Sequence, residues 1–246
     1  MQISGYDLPL GGKAAQGTTK SWIILGLISL ILAGVFSLLL VFARTPVIQS
    51  WIPFLDFFQI SLVVHVTLSV LIWLLSISAA MWTLCSPDGR TTWDRISFGL
   101  AAAGTAIIVI APFVGAGNPQ MSNYVPVLQH PLFFTGLGLF VLGISSHIVR
   151  TLSTWRGIGP QMDGSTSLQA GIALSAIVTG SAILCVVASM LGIPAEMDGQ
   201  IYFEFLFWGG GHVIQYSYTL LMLVCWVVLA HASGCRLELT PRLTLV

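Results

Sequence analysis

Six separate apolar runs, each about the length of a bilayer crossing, constrain this chain more than any other feature. They cover residues 22–43, 57–84, 96–115, 128–149, 168–193 and 203–232. A hydrocarbon core is crossed by about 20 residues of helix. A strand of a membrane barrel alternates apolar and polar side chains over about 10 residues, and none of the six runs does so. The expected fold is therefore all-α: a polytopic membrane protein with six transmembrane helices, forming a single transmembrane domain over residues 1–246. Charged residues make up 7% of the chain against roughly 25% in soluble domains, which excludes an ordinary soluble fold. The 56% hydrophobic content excludes intrinsic disorder. A net charge of zero offers no surface for nucleic acid.

The charges between the runs set an expected orientation. Lys13 and Lys20 precede the first run, Arg90 and Arg95 follow the second, Arg150 and Arg156 follow the fourth, and Arg236 and Arg242 lie in the tail. The alternate loops hold Arg44 as their one basic residue, with Asp56, Glu196 and Asp198 among them. Eight against one places both termini in the cytoplasm by the positive-inside rule. The first run is too long for a signal-peptide core and is read as a retained helix. The uncharged loop 116–127 is expected to pack on the outer face of the bundle. Trp22, Trp51, Trp93 and Trp155 stand near run ends and read as interface anchors. The four cysteines are scattered, without C-x-x-C spacing.

Ionisable groups inside a bilayer are costly and are functional candidates. His65 lies about eight residues into the second run, with Ser69, Trp73 and Ser76 near its side of the helical wheel. That stripe should face other helices, and a neutral imidazole there suits either haem iron or a packing hydrogen bond. His212 lies about ten residues into the sixth run, after Gly209, Gly210 and Gly211. Three glycines inside a helix cost about 1 kcal/mol each against alanine, so a flat cofactor, a metal or a close helix crossing should need the space. Tyr216 follows one turn later on the same face. His65 and His212 enter from the same side at similar depth, as one cofactor layer would require. His130, ahead of Pro131, reads as an outer-interface residue that either contacts a haem propionate or has a plain interfacial role. Glu204 suits the start of a helix. His147 and His231 read as interfacial residues at the inner ends. Two stacked haems need ligands about 14 residues apart on one helix; His130 to His147 is 17 and His212 to His231 is 19, so that arrangement is disfavoured.

The segment from Phe207 to Tyr216, FWGGGHVIQY, resembles the sixth helix of subunit I of haem–copper oxidases, with its aromatic, Gly-His-x-x-x-Tyr pattern. The segment from His65 to Trp73 resembles that family's second helix. Residues 124–133 resemble a loop and fourth helix of a divergent bacterial branch, cytochrome c oxidase subunit I-like. The resemblance covers helices one to six, about half of a subunit of about twelve helices. It implies that His65 is an axial ligand of a low-spin haem, that His212 is a copper ligand, and that Tyr216 is the active-site tyrosine. The consecutive His-His pair and the later haem histidines of the family are absent, so a second membrane chain would supply the remaining ligands. It further implies a bacterial inner membrane, cytochrome c or quinol as electron donor and oxygen as substrate. Nitric-oxide reductases of the same superfamily lack the tyrosine, so Tyr216 favours oxygen. A non-catalytic haem-binding or assembly protein is the main alternative. A transporter is the third, disfavoured because the sequence suggests no paired buried charges and no internal repeat.

Overall fold

In a computed structural model, residues 5–49, 57–86, 91–115, 117–155, 157, 163–194, 196–197 and 199–235 are described. Arg90, Arg156, Arg236, Arg242, Asp56, Asp198 and Trp51 lie outside them. Among the described residues the fold is all-α apart from one small hairpin, and six helices are long and apolar enough to cross a membrane. The first is α1 (Lys13–Arg44), followed by the short α2 (Pro46–Gln49). The second joins α3 (Phe57–Val66) to α4 (Trp73–Leu84) through one π-helical stretch, Thr67–Ile72. The others are α5 (Thr92–Ile110), α6 (Pro131–Thr154), α7 (Gly164–Gly192) and α8 (Gly199–Ala232). The strands β1 (Asn118–Gln120) and β2 (Val127–Gln129) pair antiparallel between α5 and α6.

The ends of the helices follow local chemistry more closely than hydropathy. At α5, Thr91 and Asp94 form a reciprocal capping box, so the helix starts before the apolar run. At α6, His130 is the N-cap and Pro131 the first helical residue. Residues 128 and 129 therefore belong to β2 and not to the fourth span, which instead continues past Val149 to Thr154. At α7, the Asp163 carboxylate accepts from the Thr166 N–H at 2.8 Å. That bond holds the Asp163 carboxyl below the ordinary aspartate range. The π-helical stretch has a local cause as well. Thr67 and Ser69 turn their hydroxyls back onto the carbonyls of Val63 and His65, at 2.8 and 2.7 Å, loosening the ladder just after His65.

Helix pairs close on small residues. On α5 and α6, Gly104 lies against the backbone of Gly136 and Phe140, and Gly143 against Ser97 and Ala101. A β-carbon on Gly104 would collide with the Gly136 carbonyl, which no rotamer change relieves. Close backbone approach through small residues is how helices gain packing energy in lipid. Gly104→Leu is expected to lower the thermal midpoint of the detergent-solubilised protein by several degrees, the overpacking cost being about 1–3 kcal/mol. A midpoint unchanged from wild type would contradict this crossing.

Candidate functional site

His65 turns toward α1. Its Nδ1 lies 2.9 Å from the Ala33 carbonyl oxygen. A carbonyl oxygen only accepts, so Nδ1 carries the proton and the neutral ring keeps its lone pair on Nε2. The stripe below it also meets α1: Gly26 packs against Trp73 and Ser76. The expectation that this side faces other helices thus holds. The Ser69 hydroxyl, however, is taken by the His65 carbonyl.

His212 repeats that arrangement on α8. Its Nδ1 donates to the Trp208 carbonyl at 2.8 Å, leaving Nε2 as the acceptor. The Tyr124 hydroxyl, from the loop between β1 and β2, lies 3.0 Å from the ring nitrogens and has Nε2 as its acceptor. The Tyr124 and Trp208 rings lie 5.0 and 4.4 Å from the imidazole, centroid to centroid. The glycine run now has a physical account. Gly210 packs on Ala182 and Val186 of α7, and Gly211 receives the Tyr124 ring, which a β-carbon would strike. Gly209 has the Cys185 β-carbon at ordinary contact distance. A helix crossing and a tyrosine from this same chain therefore use the space.

Trp208, His212, Gln215 and Tyr216 all lie on the outward side of α8, with Tyr216 69% exposed. Their spacing of three and four residues makes one continuous face. Phe205, Met222, Trp226 and Leu229 extend it toward both ends. His65 and His212 share no hydrogen bond or ring contact among the described residues: one meets α1, the other looks out of the bundle. Tyr124 was the residue that sequence reasoning passed over. Its signal was an aromatic residue in an uncharged loop, opposite glycines with no stated partner.

His130 is half-buried, and its Nδ1 accepts from the Leu132 N–H at 3.2 Å. This cap leaves Nε2–H as a donor at the end of the bundle that carries the hairpin. Glu204 accepts from the backbone and side chain of Asn123, pinning the loop to α8. The expected packing of loop 116–127 on the bundle is seen in its described residues.

Three readings need correction. His147 is not interfacial: it is 1% exposed, because α6 runs two turns past it. Trp22 is not an anchor either; it is fully buried, edge-on to Phe98 and 5.2 Å from the His147 ring. Trp93 and Trp155 do remain exposed. A paired buried charge does exist: Arg150 Nε lies 2.9 Å from Asp94 Oδ1, each side chain 5% exposed. His231 is partly exposed, 3.5 Å from Asp7 Oδ1.

Among the described residues no three His, Cys, Asp or Glu side chains come together as a metal set. His65 and His212 each carry one unprotonated nitrogen that fits as a single ligand of a site completed from elsewhere; at His212 the Tyr124 hydroxyl occupies that nitrogen and would have to turn away for a metal to bind. No family model matches the chain, and no solved structure matches it. It is similar to an uncharacterised protein of Rickettsia prowazekii (strain Madrid E), 32% identical over 88% of this chain and 47% of the relative. It is also similar to an uncharacterised protein of Aquifex aeolicus (strain VF5), 29% identical over 85% of this chain and 52% of the relative. The chain spans about half the length of the curated relatives it matches.

Proposed function

We propose that this chain is the helix-one-to-six half of a subunit I-like protein of a haem–copper terminal oxidase. In this reading His65 holds a low-spin haem, His212 is one copper ligand, and Tyr216 serves the oxygen-reducing centre. The observation that carries it is the shared state of the two histidines. Each fixes Nδ1–H on a backbone carbonyl and keeps Nε2 as the basic nitrogen, which is the outer-shell arrangement of a metal-bound imidazole; at His212 the Tyr124 hydroxyl stands on Nε2 where the metal would be. The resemblance of residues 207–216 to the family's sixth helix supplies the second support.

When bound, haem and copper supply the redox chemistry that takes oxygen to water with electrons from cytochrome c or quinol. The chain's own residues do the rest. Ala33 and Trp208 orient the imidazoles. Tyr124 holds the loop over His212. Tyr216 offers a hydroxyl one turn away, and the His130 Nε2–H suits a haem propionate. The missing ligands belong to a second membrane segment seated on the outward face of α8, where His212, Gln215 and Tyr216 would otherwise stand in lipid at a cost. The membrane is the bacterial inner membrane, and both termini are cytoplasmic. Exposed Lys13, Lys20 and Arg95 at one end and exposed Glu196 with half-buried Glu204 at the other support that orientation.

The test is purification from native membranes with the segment that completes it, followed by the reduced-minus-oxidised haem spectrum, copper content and oxygen consumption. Haem and copper with turnover support the reading. Haem without copper or turnover gives the molecule to the non-catalytic, haem-binding alternative, and absence of haem refutes both. Within the assembled protein, His65→Ala is expected to remove at least nine-tenths of the low-spin haem absorbance while the bundle stays in the membrane. An unchanged spectrum would overturn the role of His65.

A further inference from the structure

Far from His212, a second polar node lies in the core where α1, α4, α5 and α6 meet. His147 Nε2 stands 2.9 Å from the Thr83 hydroxyl oxygen and 3.2 Å from the Ala79 carbonyl. Thr83 itself donates to that carbonyl at 2.8 Å. Both oxygens therefore act as acceptors toward the ring, which puts the proton on Nε2 and leaves a lone pair on Nδ1. That Nδ1 is buried and has no hydrogen-bond partner. On α1, the Trp22 indole N–H is also buried without an acceptor. Their rings lie 5.2 Å apart, tilted by 42°. One turn before Trp22, on the same buried side of α1, the Thr19 hydroxyl is a third polar group without a partner.

A buried unmatched donor or acceptor costs about 1–3 kcal/mol. Here one donor and one acceptor are left over in adjacent rings, and they do not bond to each other. We propose that Trp22 and His147 hold one internal water molecule. It accepts from Trp22 Nε1–H and donates to His147 Nδ1. A water making two bonds of about 2.8 Å can join two such nitrogens on neighbouring rings that do not bond to each other. A water needs two to four polar partners, and Thr19 offers a further one. The donor and acceptor kinds leave no room for a cation, because an indole N–H cannot ligate one.

A cavity of about 400 Å³ lies on the far side of Trp82 from the node, at the end of the bundle that carries Arg150, lined among others by Trp82, Ser86 and Thr154. The Trp82 ring lies 6.2 Å from that of His147. Ser86 and Thr154 both accept from Arg150, which pairs with Asp94. His147 lies one turn before Arg150 on α6, and Arg150 pairs with Asp94 of α5. The water bridge also ties α1 to α6, in addition to the Trp22–His147 ring contact.

Solid-state 15N NMR of the whole protein in lipid, with ring-labelled histidine, tests this. His147 should appear as the Nε2–H form with a hydrogen-bonded Nδ1. Trp22→Phe removes the donor and preserves an aromatic ring. It should shift the Nδ1 resonance, because the water loses one anchor. Proton-detected exchange should show the Nδ1 contact to be with water. An Nδ1 resonance typical of a free lone pair in wild type, a direct indole-to-imidazole contact, or the Nδ1–H form would each overturn the proposal. So would a His147 spectrum unaltered by Trp22→Phe in a protein with wild-type melting. If Trp22→Phe fails to fold, Trp22→His, whose ring can still donate, should restore the wild-type Nδ1 signal; failure to restore it in a folded protein overturns the proposal as well.

Discussion

Arg150→Met is expected to cost about 3–5 kcal/mol of stability, because it leaves the Asp94 carboxylate buried without its cation. The partners of the pair define the size of the effect. Asp94 Oδ1 meets Arg150 Nε at 2.9 Å, while Oδ2 accepts from the Thr91 N–H and hydroxyl at 3.0 and 2.9 Å. Arg150 also donates to Ser86 and Thr154, each at 3.0 Å. One ion pair therefore joins the end of α4 to α5 and α6. Removing both charges is a different experiment from removing one. In Asp94→Asn with Arg150→Met, the amide oxygen can still accept from Thr91, so the start of α5 stays capped. No buried charge then remains, and the double variant should be more stable than Arg150→Met alone. Thermal unfolding in detergent checks this. For a chain of this size, about 3–5 kcal/mol corresponds to a drop on the order of 10 °C. Strictly additive losses in the double-mutant cycle would show that the two side chains do not act as a pair.

The six spans were legible because a bilayer leaves a chain few options. Once backbone polar groups must be satisfied within the segment, an apolar run of that length is a helix. Their ends were less legible, since Thr91, Asp94, His130 and Asp163 place the caps by hydrogen bonding and not by hydropathy. That shift explains the misplacement of two residues. With α6 running on to Thr154, His147 and Arg150 lie inside the bundle, though a hydropathy boundary at Val149 put them at its edge. A helical wheel gives the angle between two residues but not the neighbour they meet. The side of α3–α4 that carries His65 could be found that way, whereas its partner, the Ala33 carbonyl, could not. Trp22 shows the same limit: position near a run end suggested an anchor, and packing against Phe98 and His147 made it core. The need for space at Gly210 and Gly211 was visible in the sequence. What filled it was not, because Tyr124 reaches His212 from 88 positions away along the chain.

The two tyrosines near His212 are expected to behave in opposite ways. Tyr216 lies one turn from His212 on the outward side of α8 and is 69% exposed, whereas Tyr124 bonds to the imidazole from the loop. Under the proposed function, Tyr216 faces the completed centre and can move a proton there. Its loss in Tyr216→Phe should lower oxygen turnover by about 10²-fold or more, the usual range for a positioned acid or base. Metal content should stay at wild-type level, since the hydroxyl is no ligand and phenylalanine fills the same volume. Tyr124→Phe removes a bond to the imidazole without touching that proton. It should free the Nε2 lone pair that the hydroxyl occupies and so tighten copper by a few-fold to about tenfold, the worth of one hydrogen bond, while turnover per bound copper stays close to normal. Copper titration and single-turnover oxygen kinetics on the assembled protein separate the two effects. If Tyr216→Phe turns over normally while Tyr124→Phe loses turnover at full copper loading, the proton-donating tyrosine is the one from the loop, and the role given to Tyr216 by its helix is wrong.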